Sequence, residues 1–401
     1  MKRINPFKIN ISITASVFSL LLTLTSCTND SPDEPKQGEN IKSTVLLYAV
    51  ASNNLYSNLI EDKEEILSAA SRMDMTGLRM LVYQVTPYDE PALLEVKKQI
   101  DGTAVFETVK EYSKELYSTD PRRISEVIED VRTNYKSNLY GLVLWSHGTG
   151  LDPFTSTRAD ADAFIPMLYS FGSDKDSDKN SLYSDQINID ELADAIPDNM
   201  FNFIWFDACY MSGIETIYEL RDKCEYFVGY PTEVFTPGMP YDLTLPYFLA
   251  ENPDLKGGAE KFFNYYANHS SSSYRVATVC VIDMDKLEPV ADYCKVAYSG
   301  TYLYSNLGLQ KYTRGSIGPF YDFGQYSRLM AANNESAPDI KYFEEALDGM
   351  VIYSAATDTD FNYYPINKEN FSGVSCHLFF DDGSKKSEFY KTLDWYKRVY
   401  E

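Results

Sequence analysis

An α/β protein, built on a mainly parallel sheet with helices on both faces, is the fold class this 401-residue sequence predicts. Three observations predict it. Residues 44–51, Leu139–Trp145 and 201–206 are short, bulky, apolar runs without the alternation of a half-exposed strand, so they read as strands buried on both faces. Segments of helical periodicity separate such runs, the order expected of a parallel sheet with crossover helices. An apolar fraction of 44% suffices for a large core, and 14% aromatic residues argue against disorder.

The chain opens with a targeting pattern. Lys2, Arg3 and Lys8 precede an apolar stretch over residues 9–24, which ends in Leu24-Thr25-Ser26-Cys27. This is similar to a bacterial lipoprotein signal (residues 1–26) with Cys27 as the lipid attachment site. Export and anchoring in the cell envelope are therefore expected, and Asp30, Asp33 and Glu34 resemble the export signals of surface lipoproteins. Residues 27–43 read as a polar tether. No later span is long and apolar enough to cross a bilayer.

From residue 44 the elements alternate. A first strand (44–51) is followed by a helix (59–73), the strand Leu78–Val85, and a hairpin of residues 93–100 and 105–112 closed at Asp101-Gly102. Asp120 is placed to cap a helix that Pro121 begins and that runs to residue 135. The strand Leu139–Trp145 ends in Ser146-His147-Gly148-Thr149-Gly150, and the strand 201–206 ends in Asp207-Ala208-Cys209. Gly213 opens a helix whose Glu215 and Glu219 should point away from the core. Residues 225–230 form the next strand, leading into a Pro- and Gly-punctuated loop, 231–241. Beyond it the pattern gives two helices, a strand (276–283), a helix (284–298), an irregular Tyr- and Gly-rich stretch (300–335), a helix (339–353), a strand (374–380) and a final amphipathic helix (385–400).

The chemistry sits at two strand ends. Open α/β sheets bind ligands at the carboxyl ends of their strands. A histidine ends one such run and a cysteine another, the pairing that thiol catalysis requires. His269 falls at a helix end and His377 adjoins Cys376 in a strand, where neighbouring side chains point to opposite faces. His147 therefore has no competitor as the base for Cys209. With Cys27 and Cys209 assigned, Cys224, Cys280, Cys294 and Cys376 remain, and their three conceivable pairings are not distinguished. No CxxC pair or His/Cys cluster suggests zinc. The stretch Gly172-Ser173-Asp174-Lys175-Asp176-Ser177-Asp178-Lys179-Asn180 resembles the start of a calcium loop through Asp174, Asp176 and Asp178. It carries Lys179 where that loop needs Gly, and Asp185 where it ends in Glu. A solvated loop is the preferred reading, with no cofactor required and calcium the alternative. The formal charge of −23 repels nucleic acid and anionic membrane surfaces, which excludes both as partners; membrane association rests on the lipid alone.

Trp145-Ser146-His147-Gly148 and Asp207-Ala208-Cys209-Tyr210-Met211 resemble the His-Gly and Asp-x-Cys-x-Met signatures of the clostripain family of cysteine peptidases, within the caspase-like clan. Thr232-Glu233 with Gly238-Met239-Pro240-Tyr241 is similar to that family's Ser-Glu…Gly-Trp-Pro-Tyr loop, and Phe320-Tyr321-Asp322-Phe323 to its Tyr-Asp-Leu segment. Leu151 and Met239 depart from the pattern, each standing where a Trp is expected. The resemblance implies a caspase-like catalytic domain over residues 44–255, which an α/β region, 256–401, completes or flanks. It implies Cys209 as nucleophile and His147 as acid and base, with the backbone N–H groups of Gly148 and Cys209 as oxyanion donors. Gly148 is expected to admit the substrate closely. Asp207 takes the position that lines S1 in this clan, so peptide or protein substrates with Arg or Lys at P1 are implied; Thr232 and Glu233 belong to the loop beside it. Family zymogens are cut between the His and Cys blocks, which makes Arg158, Lys175 and Lys179 candidates for self-cleavage. The alternative reading is a non-catalytic surface lipoprotein that binds peptide or glycan through its Tyr-rich C-terminal region.

Overall fold

The computed structural model describes residues 40–150, 170–174, 185–301, 308–314 and 317–401. Cys27, Arg158, Lys175, Lys179, Asp176 and Asp178 lie outside the described residues. Nine strands form one sheet: β1 (Ser43–Val50), β2 (Leu78–Val85), β3 (Ala92–Lys98), β4 (Ala104–Glu111), β5 (Leu139–Trp145), β6 (Phe201–Asp207), β7 (Cys224–Gly229), β8 (Thr278–Asp283) and β9 (Val351–Ala356). Their order is β9-β8-β7-β6-β5-β1-β2-β3-β4. The five central strands run parallel, and an antiparallel pair extends the sheet on each side. The chain beyond residue 255 thus contributes two strands to the same sheet.

The apolar runs produce this arrangement because both faces are covered. All eight residues of β1 are buried. In β6, Ile204 and Phe206 enter one core while Phe203 and Trp205 enter the other, as the two-residue period of a strand demands. Helices Tyr56–Arg72, Tyr241–Phe248 and Leu255–Ala267 cover the second face; Pro121–Asn134, Ile214–Glu219 and Leu287–Tyr298 are among those covering the first. Asp120 caps Pro121–Asn134 by accepting from the Arg122 N–H. No helix among the described residues is long and apolar enough to cross a membrane.

The C-terminal third departs from the sequence expectation in four places. The helix expected to reach residue 353 stops at Met350, and Val351–Ala356 instead becomes the edge strand β9. The irregular stretch contains strands Lys311–Arg314 and Ile317–Asp322 and the helix Phe323–Ala332. The strand expected over 374–380 is only Ser375–Cys376, the third member of that small sheet. The final helix is two, Lys385–Tyr390 and Asp394–Tyr400, parted where Leu393 turns extended and buries its side chain. Cys224, Cys280, Cys294 and Cys376 are buried and free.

Glu215 does not face solvent, and Glu219 does so only in part. Glu215 is wholly buried, and its Oε1 accepts from the His377 backbone N–H and from the Tyr390 hydroxyl, both at 2.8 Å. Glu219 accepts from the Asp394 N–H, and burial raises its carboxyl to about 7. The C-terminal segment covers the side of this helix that amphipathic patterning leaves polar.

Candidate active site

Trp145 and Asp207 share a rung at the carboxyl ends of the parallel neighbours β5 and β6. His147 and Cys209 each lie two residues past that rung, so the register brings both to the same edge of the sheet. Gly148 packs on the main chain of Cys209: a Cβ there would sit 2.3 Å from the Cys209 carbonyl oxygen and 3.1 Å from its nitrogen. The glycine is therefore required by the cysteine loop itself, a neighbour that the sequence reading, which looked to the substrate, did not foresee.

The thiol is half-buried, and its Sγ accepts from the Val234 N–H at 3.4 Å. The Tyr210 N–H donates to the Thr232 carbonyl at 3.0 Å and the Ser212 N–H to the Tyr230 carbonyl at 3.2 Å, lacing the cysteine loop to the segment after β7. Tyr210 adopts φ +60°, a region that bulky residues occupy only when their surroundings impose it. Here its ring is buried and stacked on Phe320, centroids 5.5 Å apart.

His147 is held from two directions. Its carbonyl accepts from the Gly172 N–H at 2.9 Å. Its Nε2 lies 2.8 Å from Oδ1 of Asn54, a residue of the loop following β1, the other neighbour of β5. The sequence reading passed over Asn53 and Asn54. The available signal was a pair of amides in the loop shortly after a buried strand, at the edge where His147 and Cys209 emerge.

Asp207 points to the face covered by Tyr56–Arg72 and Tyr241–Phe248. It is 5% exposed, and its Oδ2 accepts from the Met239 N–H at 3.2 Å and the Tyr241 hydroxyl at 3.1 Å. Gly238, at φ +69°, closes over it; a Cβ there would lie 3.3 Å from that oxygen. Burial raises the Asp207 carboxyl to about 6, against the two hydrogen bonds. Beneath it Asp62 accepts from the Trp145 indole N–H at 2.8 Å, and burial, with the Asp207 and Glu65 carboxylates nearby, pushes Asp62 up to about 9. Thr232 is buried, its hydroxyl 2.8 Å from that of Thr278, while Glu233 accepts from the Asn362 amide at 2.9 Å. Asp174 ends the strand Ser170–Asp174, where it is buried and accepts from the Ser118 N–H at 2.6 Å. Among the described residues no group of three or more His, Cys, Asp or Glu could hold a metal ion.

A model of the clostripain family (peptidase C11) matches residues 47–400. The chain belongs to the clostripain family of cysteine peptidases. Clostripain of Hathewaya histolytica is 26% identical over 228 residues, 51% of this chain; the match spans only 42% of that longer protein. Among solved structures, an inactive zymogen C11 protease from Parabacteroides distasonis is 27% identical with a TM-score of 0.74, covering 90% of this chain and 99% of that one. A secreted C11 cysteine protease from Bacteroides thetaiotaomicron, in complex with an irreversible peptide inhibitor, is 25% identical with the same TM-score, covering 89% of this chain and 98% of its own. The clostripain-family fold accounts for the sheet with its helices on both faces, and both structural relatives extend over the C-terminal third as well as the sheet's parallel centre.

Proposed function

We propose that this clostripain-family chain is a cysteine endopeptidase that cleaves after Arg or Lys, with Cys209 as nucleophile and His147 as general acid and base. The observation that carries the reading is the shared rung of Trp145 and Asp207, from which both side chains follow at the same spacing. Cys209 attacks the substrate carbonyl, and its proton passes to His147, which returns it to the leaving amine. The backbone N–H groups of Cys209 and Gly148 are the proposed oxyanion donors. Asp207 is the proposed anchor for the basic P1 side chain by charge-assisted hydrogen bonding, with Thr232 and Glu233 in the adjoining loop. Activation by self-cleavage at Arg158, Lys175 or Lys179, anchoring through Cys27 and exposure at the cell envelope complete the proposal; calcium at Asp174, Asp176 and Asp178 is not required by it.

Fluorogenic peptides ending in Arg or Lys, given to wild type and Cys209→Ala side by side, test this. Turnover by wild type alone is expected. Equal turnover in both, or none in either, would favour the non-catalytic reading.

A further inference from the structure

We propose that Asn54 is the positioning residue of the His147 imidazole, accepting from Nε2–H and so committing Nδ1 to proton exchange with the Cys209 thiol and the leaving amine. The inference rests on the reading of His147 and Cys209 as the reacting pair. Its basis is the 2.8 Å separation of His147 Nε2 and Asn54 Oδ1. An amide oxygen only accepts, so the ring nitrogen facing it must carry the hydrogen. The hydrogen bond made by one imidazole nitrogen decides what the other can do, and here it leaves Nδ1 unprotonated in the neutral ring.

The loop carrying Asn54 is held in place. The buried Asn53 donates from Nδ2 to the Val50 carbonyl at 3.0 Å and to the Ser173 carbonyl at 2.7 Å, while its Oδ1 accepts from the Leu55 N–H at 2.8 Å. The Ser146 hydroxyl, one residue before the histidine, donates to the same Val50 carbonyl at 2.8 Å. The ends of β1 and β5 are thus tied together, and Asn54 meets the imidazole from the side of β1 while Cys209 lies on the side of β6.

The proton path then balances. As the sulfur–carbon bond forms, the carbonyl π pair moves to oxygen and Nδ1 takes the thiol proton. As the carbon–nitrogen bond breaks, the departing amine takes that proton back from Nδ1. Nε2–H stays on Asn54 through both transfers. A neutral acceptor fixes the ring's orientation and tautomer without the full charge that a carboxylate would set against the imidazolium.

The experiment combines kinetics with the tautomer itself. Asn54→Leu keeps the side-chain size and removes the acceptor; Asn54→Asp restores an acceptor at the same reach. Asn54→Leu should lower kcat on the order of 10- to 100-fold, below the roughly 10²–10⁴ that acid–base catalysis itself supplies, with KM within about twofold. Asn54→Asp should recover part of that loss. In ¹⁵N-histidine spectra recorded above the imidazole pKa, the signals lost in His147→Ala identify His147. Wild type should show Nε2 protonated and Nδ1 bare, and Asn54→Leu a mixture of tautomers. Wild type with the proton on Nδ1, or Asn54→Leu with unchanged kcat and tautomer, overturns the proposal. Absence of thiol-dependent turnover in wild type would sink the peptidase reading instead, while the spectra still decide the role of Asn54.

Discussion

A methyl group added at position 148 would lie 2.3 Å from the carbonyl oxygen of Cys209, and backbone cannot yield as a flexible side-chain tip can. Gly148→Ala is therefore expected to fold but to displace the cysteine loop. Displacement on the ångström scale can cost about 10²-fold in rate, which peptide hydrolysis set beside a thermal melt would separate from unfolding. The proposed role of Asp207 as the P1 anchor carries a pH limit. Burial holds its carboxyl up at about 6, so it takes up a proton as pH falls through that value and loses the charge that pairing with a basic P1 group would use. kcat/KM for Arg and Lys peptides should fall up to tenfold per pH unit below about 6, and Asp207→Asn should lower it at neutral pH. Asp62 bears on stability instead. Its pKa is raised on folding from 3.8 to about 9, so its folded-state proton favours the fold most below pH 3.8, and that contribution is lost as pH rises toward 9. Asp62→Asn, which can still accept from the Trp145 indole, should flatten the decline of melting temperature across that interval and raise it near pH 8. The convergence of His147 and Cys209 on one edge of the sheet was legible in the sequence because each follows an apolar run that reads as a buried strand. Asn54 was not, since an asparagine after a strand ordinarily signals turn chemistry. The closing of Gly238 and Tyr241 over Asp207 depends on contacts across more than thirty positions, which periodicity does not record.

At the scale of elements, the short helix Ile214–Glu219 after the cysteine loop depends on the C-terminal segment. The Gly213–Ser375 bridge and the hydrogen bond from the Ser375 N–H to the Ser212 carbonyl at 2.9 Å join the two, and Glu215 receives two donors from the same segment. Glu215→Ala removes the acceptor of both donors, at roughly 1–3 kcal/mol each; urea unfolding should register a loss of about 2–6 kcal/mol. The parallel strands could be read from composition because burial on both faces leaves a simple apolar signature. The C-terminal elements could not. Met350, Val351, Ile352 and Tyr353 continue the apolar pattern of the helix, and the local signals at the boundary, Gly349 and the β-branched pair Val351-Ile352, are too short to fix where the helix ends and β9 starts. Glu215 and Glu219 escape the pattern for the complementary reason: a polar face on a helix usually meets water, but this one meets backbone and hydroxyl donors from residues 377, 390 and 394.

Over the whole molecule, the last two helices finish a core rather than decorate it. Tyr390, Leu393, Trp395 and Val399 are each at most 2% exposed. Burial of a large apolar side chain contributes about 1.5–3 kcal/mol, so the four together rival the roughly 5–15 kcal/mol of a whole domain. A chain ending at residue 383 is expected to give little soluble protein and to be degraded in limited proteolysis under conditions the full chain survives.

The sheet also divides in a telling way. Strands β1 to β5 all precede residue 150 and β6 to β9 all follow residue 185, and the two sets meet along a single seam of five paired positions between β5 and β6. His147 and Cys209 stand on opposite banks of that seam. A scission anywhere in the intervening stretch would leave two halves that still share a continuous sheet, co-eluting on a sizing column and parting only in denaturant. By the same logic, halves produced separately should reconstitute thiol activity on mixing that neither possesses alone.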